Sequence, residues 1–216
     1  MIFKDRKDAG KHLAEALIRY KAEHPLVLAI PRGGTEVGYE VAKALDADFD
    51  LLIARKLPFP DNPESGFGAV AEDGSLYLIP YYAELLDPSL VASIVAYQKE
   101  EIERRIARLR GGRELTPVRG RTVILVDDGI AMGSTMRAAV AYCRHRGAAK
   151  IVVAAPVGSP DVKKEFQKIA DDVVILSTPP YFRAVAEAYE TWYDVNDEEV
   201  LSIMRRWREE HSKEEL

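Results

Sequence analysis

The sequence has almost no cysteine and no long apolar run. Cys143 is the one cysteine among 216 residues, which excludes an internal disulfide and a cluster of thiolate metal ligands. Its spacing from Val140 indicates a small buried helix residue rather than a nucleophile. No apolar stretch approaches the roughly 20 residues that span a bilayer, and the first residues lack the apolar core of a signal peptide. We therefore expect a cytoplasmic protein without a membrane partner.

The sequence also lacks an excess of positive charge. Its formal net charge is −5, whereas proteins that bind nucleic acid through bulk electrostatics are usually basic, so we expect no nucleic-acid partner. Two common nucleotide-binding motifs are missing, Gly-x-x-x-x-Gly-Lys-Ser/Thr and Gly-x-Gly-x-x-Gly. With 47% apolar and 30% charged residues, the composition is that of an ordinary globular protein. The length fits one domain over residues 1–216.

The apolar periodicity predicts alternating strands and helices. Short apolar runs predict buried strands at 26–30, 49–54, 76–79, 123–126, 151–155 and 173–176. Amphipathic spacing and caps predict helices at 8–23, 88–110, 135–146 and 161–170, one from residue 35 and one after residue 196. The strand–helix–strand order favours an α/β fold whose mostly parallel sheet is flanked by helices.

Two segments would form a small hood of helix and loop above this core. Residues 55–75 are rich in proline and glycine and predict a long flexible loop or a weak hairpin. The helix at 88–110 is long and is inserted after that loop. Residues 211–216 are expected to fray.

One segment, residues 122–136, carries most of the chemistry. Its apolar run ends in Asp127 and Asp128, a turn from Gly129 to Gly133 follows, and Ser134 and Thr135 open the next helix. A loop at the end of a buried parallel strand directs backbone N–H groups at a ligand, which suits a phosphate. Two acids beside a phosphate require a ligand that also donates hydroxyls or shares a divalent cation, as a ribose 5-phosphate does. The alternative is a plain turn with a helix cap.

A second predicted strand also ends in a loop suited to oxyanions. Arg32 supplies a fixed cation, and Gly33 and Gly34 let the backbone approach a ligand closely. In an open α/β sheet both loops lie beyond the carboxyl ends of the strands, near the switch point. Together they predict a ligand with two separated phosphate groups and hydroxyls between them. Arg55 and Lys56 add two cations at the same edge, unless they are a plain surface pair.

These segments resemble the phosphoribosyltransferase family of the type I fold, which has a Rossmann-like core. The resemblance implies that Asp127 and Asp128 hold the ribose hydroxyls of phosphoribosyl diphosphate. It implies a 5-phosphate site at Gly129, Ala131, Met132, Gly133, Ser134 and Thr135. It implies a pyrophosphate site at Arg32, Gly33, Gly34, Arg55 and Lys56, with a cis peptide at Arg32–Gly33.

The whole chain is similar to stand-alone bacterial and archaeal members of that family whose acceptor is unassigned. The similarity rests on residues 31–34, 61–64, 68–74 and 126–129. It implies displacement of pyrophosphate from ribose C1 by a nitrogenous base, with Mg²⁺ as cofactor and a homodimer as the common assembly. Arg32, Asp127 and Asp128 would be catalytic, and the two acids would hold Mg²⁺ indirectly through ribose hydroxyls or water.

The proton acceptor and the base site are less defined. Glu64 and Glu72 are candidates to position the acceptor's proton, with Glu72 counted among the catalytic residues, or else they are solvated loop charges. Closure of the 55–75 loop would exclude water. Ile130, Tyr181 and Phe182 are candidate base contacts, with core packing as the alternative for the two aromatic residues.

Ala131 indicates which base is the acceptor. Together with Met132, it also bears on whether the protein is a catalyst at all. Members that use 6-oxopurines usually have aspartate at position 131, whereas alanine is typical of adenine phosphoribosyltransferases, so the resemblance suggests an adenine-like purine. Met132 replaces the family's usual threonine and removes a hydroxyl donor. Both residues favour a regulatory protein that binds phosphoribosyl diphosphate without catalysis, and a hydrolase of phosphoribosyl compounds is a third hypothesis. The Arg32 loop and the proline-rich segment favour the transferase.

Overall fold

The computed structural model describes residues 1–211, so most of the expected fraying at the end of the chain lies outside the described residues. Helices and strands alternate along most of the chain. In chain order the elements are α1 (Arg6–Leu17), a 3-10 helix (Ile18–Glu23), β1 (Leu26–Ala29), α2 (Gly34–Leu45), β2 (Asp48–Leu51), β3 (Ala54–Phe59), β4 (Asn62–Ala71), β5 (Leu76–Leu78), α3 (Pro80–Leu85), α4 (Pro88–Arg110), β6 (Thr122–Val126), α5 (Ser134–His145), β7 (Lys150–Val157), α6 (Pro160–Phe166), β8 (Asp172–Ser177), a second 3-10 helix (Val185–Ala188) and α7 (Asp197–His211).

Five strands form the predicted parallel sheet, in the order β2-β1-β6-β7-β8. The chain moves outward from β1 to β2 on one side and from β6 to β7 and β8 on the other. The switch point therefore lies between β1 and β6, whose last residues, Ala29 and Val126, are paired. Because ligands bind at such a point, the loops that follow these two strands are the first place to look for a site.

Both faces of this sheet are buried, as expected for parallel strands. Val27 and Ala29 pack with residues of α1, α2 and α7 on one face. Leu26 and Leu28 pack with residues of α5 and α6 on the other. Cys143 lies in this second cluster, and burial raises the pKa of its thiol to about 12, which agrees with the prediction of a packing residue.

Residues 55–75, predicted as a long flexible loop or a weak hairpin, form the hairpin β3–β4, which belongs to a small sheet. Strands β3, β4 and β5 pair antiparallel, and α4 and α5 contact them. The register shifts on both sides of Pro58, since proline cannot donate to the ladder and is tolerated at such irregularities. The hairpin alternative is therefore confirmed, and the hairpin is longer and more regular than the proline and glycine content predicted.

The long helix α4 has its predicted bounds. Asp87 accepts hydrogen bonds from the backbone of Ser89 and Leu90, and Pro88 occupies the first helical position. Gly111 ends the helix at φ 64°, a left-handed conformation that favours glycine. Among the helices of residues 1–211, none is long and apolar enough to cross a membrane.

Candidate active site

The loops after β1 and β6 contact each other directly. The backbone N–H of Ile30 donates to the carbonyl of Val126 over 2.9 Å. A Cβ atom on Gly33 would lie 2.0 Å from Oδ2 of Asp128, and one on Gly34 would lie 2.8 Å from the carbonyl oxygen of Val126. The two glycines therefore admit the acids of the neighbouring loop, in addition to any ligand they let approach.

The first loop contains a cis peptide bond between Pro31 and Arg32. The expected position, Arg32–Gly33, is wrong by one residue. Gly33 already has helical angles, φ −60° and ψ −37°, and is the N-cap of α2.

The acid pair is half-buried next to Arg6 of α1 and the N-terminus of α2. The backbone N–H of Asp128 donates to Oδ1 of Asp127 over 2.8 Å. Burial, and then the charge of Asp128, raise the pKa of Asp127 well above its usual value. Burial also raises the pKa of Asp128, while the guanidinium of Arg6 lowers it. The two acids share one close cation, so a proton or a second cation is favourable there.

That cation, Arg6, was missed by the sequence analysis. Its Nε donates to Oδ2 of Asp128 over 2.8 Å, and its Nη1 donates to the carbonyl of Tyr193 over 2.9 Å. The guanidinium also lies 4.1 Å from the ring centre of Trp192. Arg6 occurs at the start of an amphipathic helix, 122 positions from Asp128, and no local pattern in the sequence indicates the contact.

The predicted phosphate loop lines a cavity of about 600 Å³, which we call the loop cavity. Gly133 is the N-cap of α5 at φ 77°, so the first amides of α5 follow a residue without a capping side chain. Met132 is 69% exposed. The cavity is lined from this side by Asp127, Gly129, Ile130, Ala131, Met132, Gly133, Ser134, Thr135 and Met136.

The β3–β4 hairpin and α3 form the opposite wall of the loop cavity. Phe59 and Tyr82 lie edge to face there, with ring centres 4.8 Å apart. Glu64 and Lys56 also line this wall, and Nζ of Lys56 donates to the carbonyl of Glu64 over 2.6 Å. Val185 completes the cavity beside Ile130. This wall combines apolar rings with a few polar groups, which is typical of a small-molecule site.

A second cavity of about 410 Å³, the cation cavity, brings together the positively charged side chains. Arg32, Arg55, Lys56 and Arg105 all line it. Nε of Arg55 donates to Oε1 of the buried Gln98 over 2.9 Å, and Arg32 lies 3.6 Å from a carboxylate oxygen of Asp197. Because Lys56 lines both cavities, they adjoin each other.

Arg105 is the second residue that the sequence analysis missed. Arg105 lies four residues after Glu101 on α4, but Glu101 is paired with Arg104, which leaves Arg105 to the cation cavity. Burial, and then the nearby charges of Arg55 and Arg32, lower the pKa of Arg105. Its position next to Ile106 and three residues from the buried Ile102 was the available signal, since it puts Arg105 at the edge of the apolar stripe.

Three predicted residues lie elsewhere. Glu72 forms a buried ion pair with Arg110, at 2.9 Å and 3.0 Å, and accepts from the backbone of Ile53, so its carboxylate is used by the protein itself. Tyr181 is 87% exposed, and Phe182 packs with the cluster around Phe3. These two rings line a separate cavity at the first residues of the chain.

The comparison with known families agrees with this geometry. The family model described as a phosphoribosyl transferase domain matches residues 2–190. The chain belongs to the phosphoribosyl transferase family. Phosphoribosyl transferases are pentosyltransferases, and the α/β fold with its mostly parallel sheet is the type I fold of that family.

Individual phosphoribosyl transferase relatives support the assignment. The protein named "Putative phosphoribosyl transferase Rv0571c" from Mycobacterium tuberculosis is 41% identical over 207 residues, 95% of this chain and 47% of that protein. This chain therefore spans about half the length of the curated relatives it matches first. An amidophosphoribosyltransferase of the same organism is 30% identical over 128 residues, 59% of this chain and 23% of that protein.

A solved structure of a related chain shows the same fold. The crystal structure of TT1426 from Thermus thermophilus has a TM-score of 0.82 and 41% sequence identity. The match covers 96% of this chain and 99% of that one. The core sheet and the β3–β5 sheet thus belong to one arrangement that has been solved in a related chain.

Proposed function

We propose that the protein transfers the ribose 5-phosphate group of phosphoribosyl diphosphate to a nitrogenous base. One observation carries the proposal. Gly33 and Gly34 are packed against Asp128 and Asp127, so the acid pair lies between the phosphate loop and the loop that carries Arg32. A ligand fits this arrangement if its phosphate lies at the phosphate loop, its hydroxylated ring at the acid pair and its diphosphate at the Arg32 loop.

The 5-phosphate would bind at the N-terminus of α5. The backbone N–H groups of the loop and of the first turn of α5 have no partner within their own helix, and the helix dipole favours an anion there. The hydroxyls of Ser134 and Thr135 line the same cavity. The residues proposed for the phosphate are Gly129, Ala131, Met132, Gly133, Ser134 and Thr135.

The diphosphate would bind in the cation cavity. Arg32, Arg55, Lys56 and Arg105 bring four positive charges to one space, and like charges gathered this way are stabilised by a polyanion. Arginine matches phosphate oxygens with two parallel hydrogen bonds. Gln98 fixes the orientation of Arg55. Gly33 and Gly34 follow Arg32 and let the acid pair pack directly against this loop.

The acid pair fits Mg²⁺ as part of a shared site. Among residues 1–211, no group of three His, Cys, Asp or Glu side chains is arranged to hold a metal by itself. Mg²⁺ is commonly bound by one or two carboxylates together with substrate phosphates, and Asp127 and Asp128 can supply that share directly or through ribose hydroxyls or water. Bound there, Mg²⁺ would neutralise negative charge on the departing diphosphate.

In the reaction the bond between ribose C1 and the diphosphate oxygen breaks, and a bond from C1 to the base nitrogen forms. The transition state resembles an oxocarbenium ion, as in other glycosyl transfers. Arg32 and its neighbouring cations would stabilise the leaving diphosphate, while Asp127 and Asp128 hold the ribose hydroxyls. Glu64, which lines the loop cavity, is the proposed acceptor of the proton that the base loses.

The acceptor would lie in the loop cavity. Ile130 and Val185 form one apolar wall and Phe59 and Tyr82 the other, which suits a planar heterocycle. These residues replace Tyr181 and Phe182 as the proposed base contacts. An adenine-like purine is the first acceptor to test, since Ala131 is small and uncharged.

The test is a reaction of the protein with phosphoribosyl diphosphate, Mg²⁺ and a panel of bases that includes adenine. Pyrophosphate release that requires a base, with a nucleotide as second product, supports the transferase. Release without any base supports hydrolysis instead. Neither release nor binding would end the proposal.

A regulatory binding protein is the second candidate. It is favoured by Met132, which is 69% exposed and cannot donate the hydroxyl hydrogen bond that threonine provides to the phosphate in the family. Tight binding of phosphoribosyl diphosphate without turnover for any base would support it.

A further inference from the structure

Arg6 joins the acid pair to a distant part of the chain. Arg6 is 6% exposed, and its guanidinium contacts Asp128, Tyr193 and Trp192. Nε donates to Oδ2 of Asp128 over 2.8 Å, Nη1 donates to the carbonyl of Tyr193 over 2.9 Å, and the ring centre of Trp192 lies 4.1 Å from its central carbon. One side chain therefore fixes a carboxylate from the loop after β6 and a segment that follows the second 3-10 helix.

Asp128 is held from its other sides as well. The hydroxyl of Tyr189 donates to the backbone carbonyl of Asp128 over 2.5 Å. The Oδ2 atom that Arg6 contacts is the one that a Cβ on Gly33 would meet at 2.0 Å. Side chain and backbone of Asp128 are thus both anchored, and Oδ2 is enclosed.

The two acids are therefore not equivalent. Asp127 lines the loop cavity, whereas Asp128 is enclosed by Arg6, Tyr189 and Gly33. With Oδ2 occupied by Arg6, Oδ1 is the oxygen of Asp128 that remains for a ribose hydroxyl or a hydrated cation. The direction in which Oδ1 points depends on the hydrogen bond that Arg6 makes to Oδ2.

Two of the three residues that Arg6 contacts lie beyond the family match. The phosphoribosyl transferase domain matches residues 2–190, and Trp192 and Tyr193 come after it. A lysine at position 6 would preserve the charge but could not bond Asp128 and Tyr193 at once while stacking on Trp192, since those contacts use the planar fork of arginine.

We infer that Arg6 is a positioning residue for sugar recognition. It holds Asp128 so that Oδ1 meets the ribose, and the segment at Tyr189, Trp192 and Tyr193 holds Arg6 in turn. The inference rests on the proposed function, because it assumes that the acid pair binds the ribose of phosphoribosyl diphosphate.

The test measures binding of two ligands by calorimetry in the presence of Mg²⁺. Arg6→Gln should weaken binding of phosphoribosyl diphosphate by about 10- to 100-fold, the range found when a supporting partner of a ligating group is removed. Binding of pyrophosphate alone should change less than about twofold, since the cation cavity does not involve Arg6. A purely structural role would weaken both ligands together. Lys11→Gln, which removes an exposed positive charge from the same helix, should leave both affinities unchanged.

A double-mutant cycle and a conservative variant complete the test. In the background of Asp128→Asn, Arg6→Gln should cost less than about threefold in affinity, because its target is already altered. Arg6→Lys and Trp192→Leu should give intermediate losses, and they decide the matter if Arg6→Gln does not fold. Wild-type affinity in Arg6→Lys and Trp192→Leu, or equal losses for both ligands, would overturn the inference.

The wild-type protein separates failure of the inference from failure of the proposed function. If the wild-type protein fails to bind phosphoribosyl diphosphate, the proposed function fails and the inference with it. If it binds and the Arg6 variants bind equally well, only the inference fails.

Discussion

Gly33 and Asp128 lie so close that a Cβ atom on the glycine would be 2.0 Å from a carboxylate oxygen of the acid. No pair of heavy atoms tolerates that separation without a bond. The carboxylate cannot simply rotate away, because Arg6 donates to the same oxygen. The acid pair can therefore pack against the N-terminus of α2 only because Gly33 has no side chain.

Gly33→Ala should displace the acid pair and weaken binding of phosphoribosyl diphosphate. The new methyl group must push Asp128 away from Arg6, and we expect a loss of at least about tenfold, or ~1.4 kcal/mol. Gly120→Ala is the matched control: Gly120 has φ 71° and open space around its Cβ position. That change should cost about 1–2 kcal/mol of stability and leave affinity unchanged. Wild-type affinity in Gly33→Ala would show that the close packing of Gly33 against Asp128 is not needed for binding.

Arg105→Gln should weaken binding of pyrophosphate. Arg105 lines the cation cavity with three other cations, and loss of a hydrogen bond to a charged partner costs about 1.5–3 kcal/mol, so we expect about a tenfold effect or more. Arg104→Gln removes the adjacent arginine, which is exposed and paired with Glu101, and should have no effect. Equal affinities for the two variants, measured by calorimetry at fixed ionic strength, would remove Arg105 from the diphosphate site.

Glu72→Gln should destabilise the fold without impairing ligand binding. Arg110 and Glu72 are both buried, and removal of one charge from such a pair costs about 3–5 kcal/mol. Glu101→Gln breaks an exposed ion pair and should cost far less stability, because solvent screens exposed pairs. Denaturant unfolding measures both losses. A variant of Glu72 with normal stability and no activity would restore the catalytic role that the sequence suggested for it.

Asp127→Asn should stabilise the protein at neutral pH, and the gain should vanish in acid. Burial and the charge of Asp128 raise the pKa of Asp127 in the folded state, so the folded protein binds this proton more tightly than the unfolded chain. The stabilisation that protonation provides is complete below the unfolded pKa of about 3.9 and is lost as the pH rises through the folded pKa.

Urea unfolding of wild type and Asp127→Asn, from about pH 4 to about pH 8, follows this linkage. The groups that face Asp127 are Asp128 and, beyond it, Arg6, and neither is changed by the substitution. Asp61→Asn, an exposed change in the turn between β3 and β4, should match wild type at each pH. If the difference in stability between wild type and Asp127→Asn does not vary with pH, the pKa of Asp127 is not raised in the folded state.

Local patterns predicted the parts of the fold that depend on neighbouring residues. The strand before Asp127, the caps of α4 and the glycine-containing loops after β1 and β6 each depend on a few consecutive residues. Each was predicted at its observed position. Residues 54–71 form two strands in spite of their prolines, because packing against α4 and α5 outweighs local propensity. The Arg6–Asp128 contact joins residues 122 positions apart, and a single sequence carries no signal for it.

The candidate site shows the same division. The two loops after β1 and β6 were predicted to share a site because the residues of each are contiguous in the chain, and the structure brings the two loops together. Arg105 and Val185 come from elements whose orientation is fixed only by tertiary packing. For the same reason Tyr181 and Phe182 follow the correct strand but line a different cavity from Ile130.

The most direct test of the central claim compares three ligands by calorimetry in the presence of Mg²⁺: ribose 5-phosphate, pyrophosphate and phosphoribosyl diphosphate. The claim is that one extended site joins the loop cavity and the cation cavity across the acid pair. It predicts that each fragment binds separately, that both can bind together, and that phosphoribosyl diphosphate binds more tightly than either and displaces both. If phosphoribosyl diphosphate binds no better than pyrophosphate, or leaves ribose 5-phosphate in place, the two cavities do not form one site and the account is contradicted.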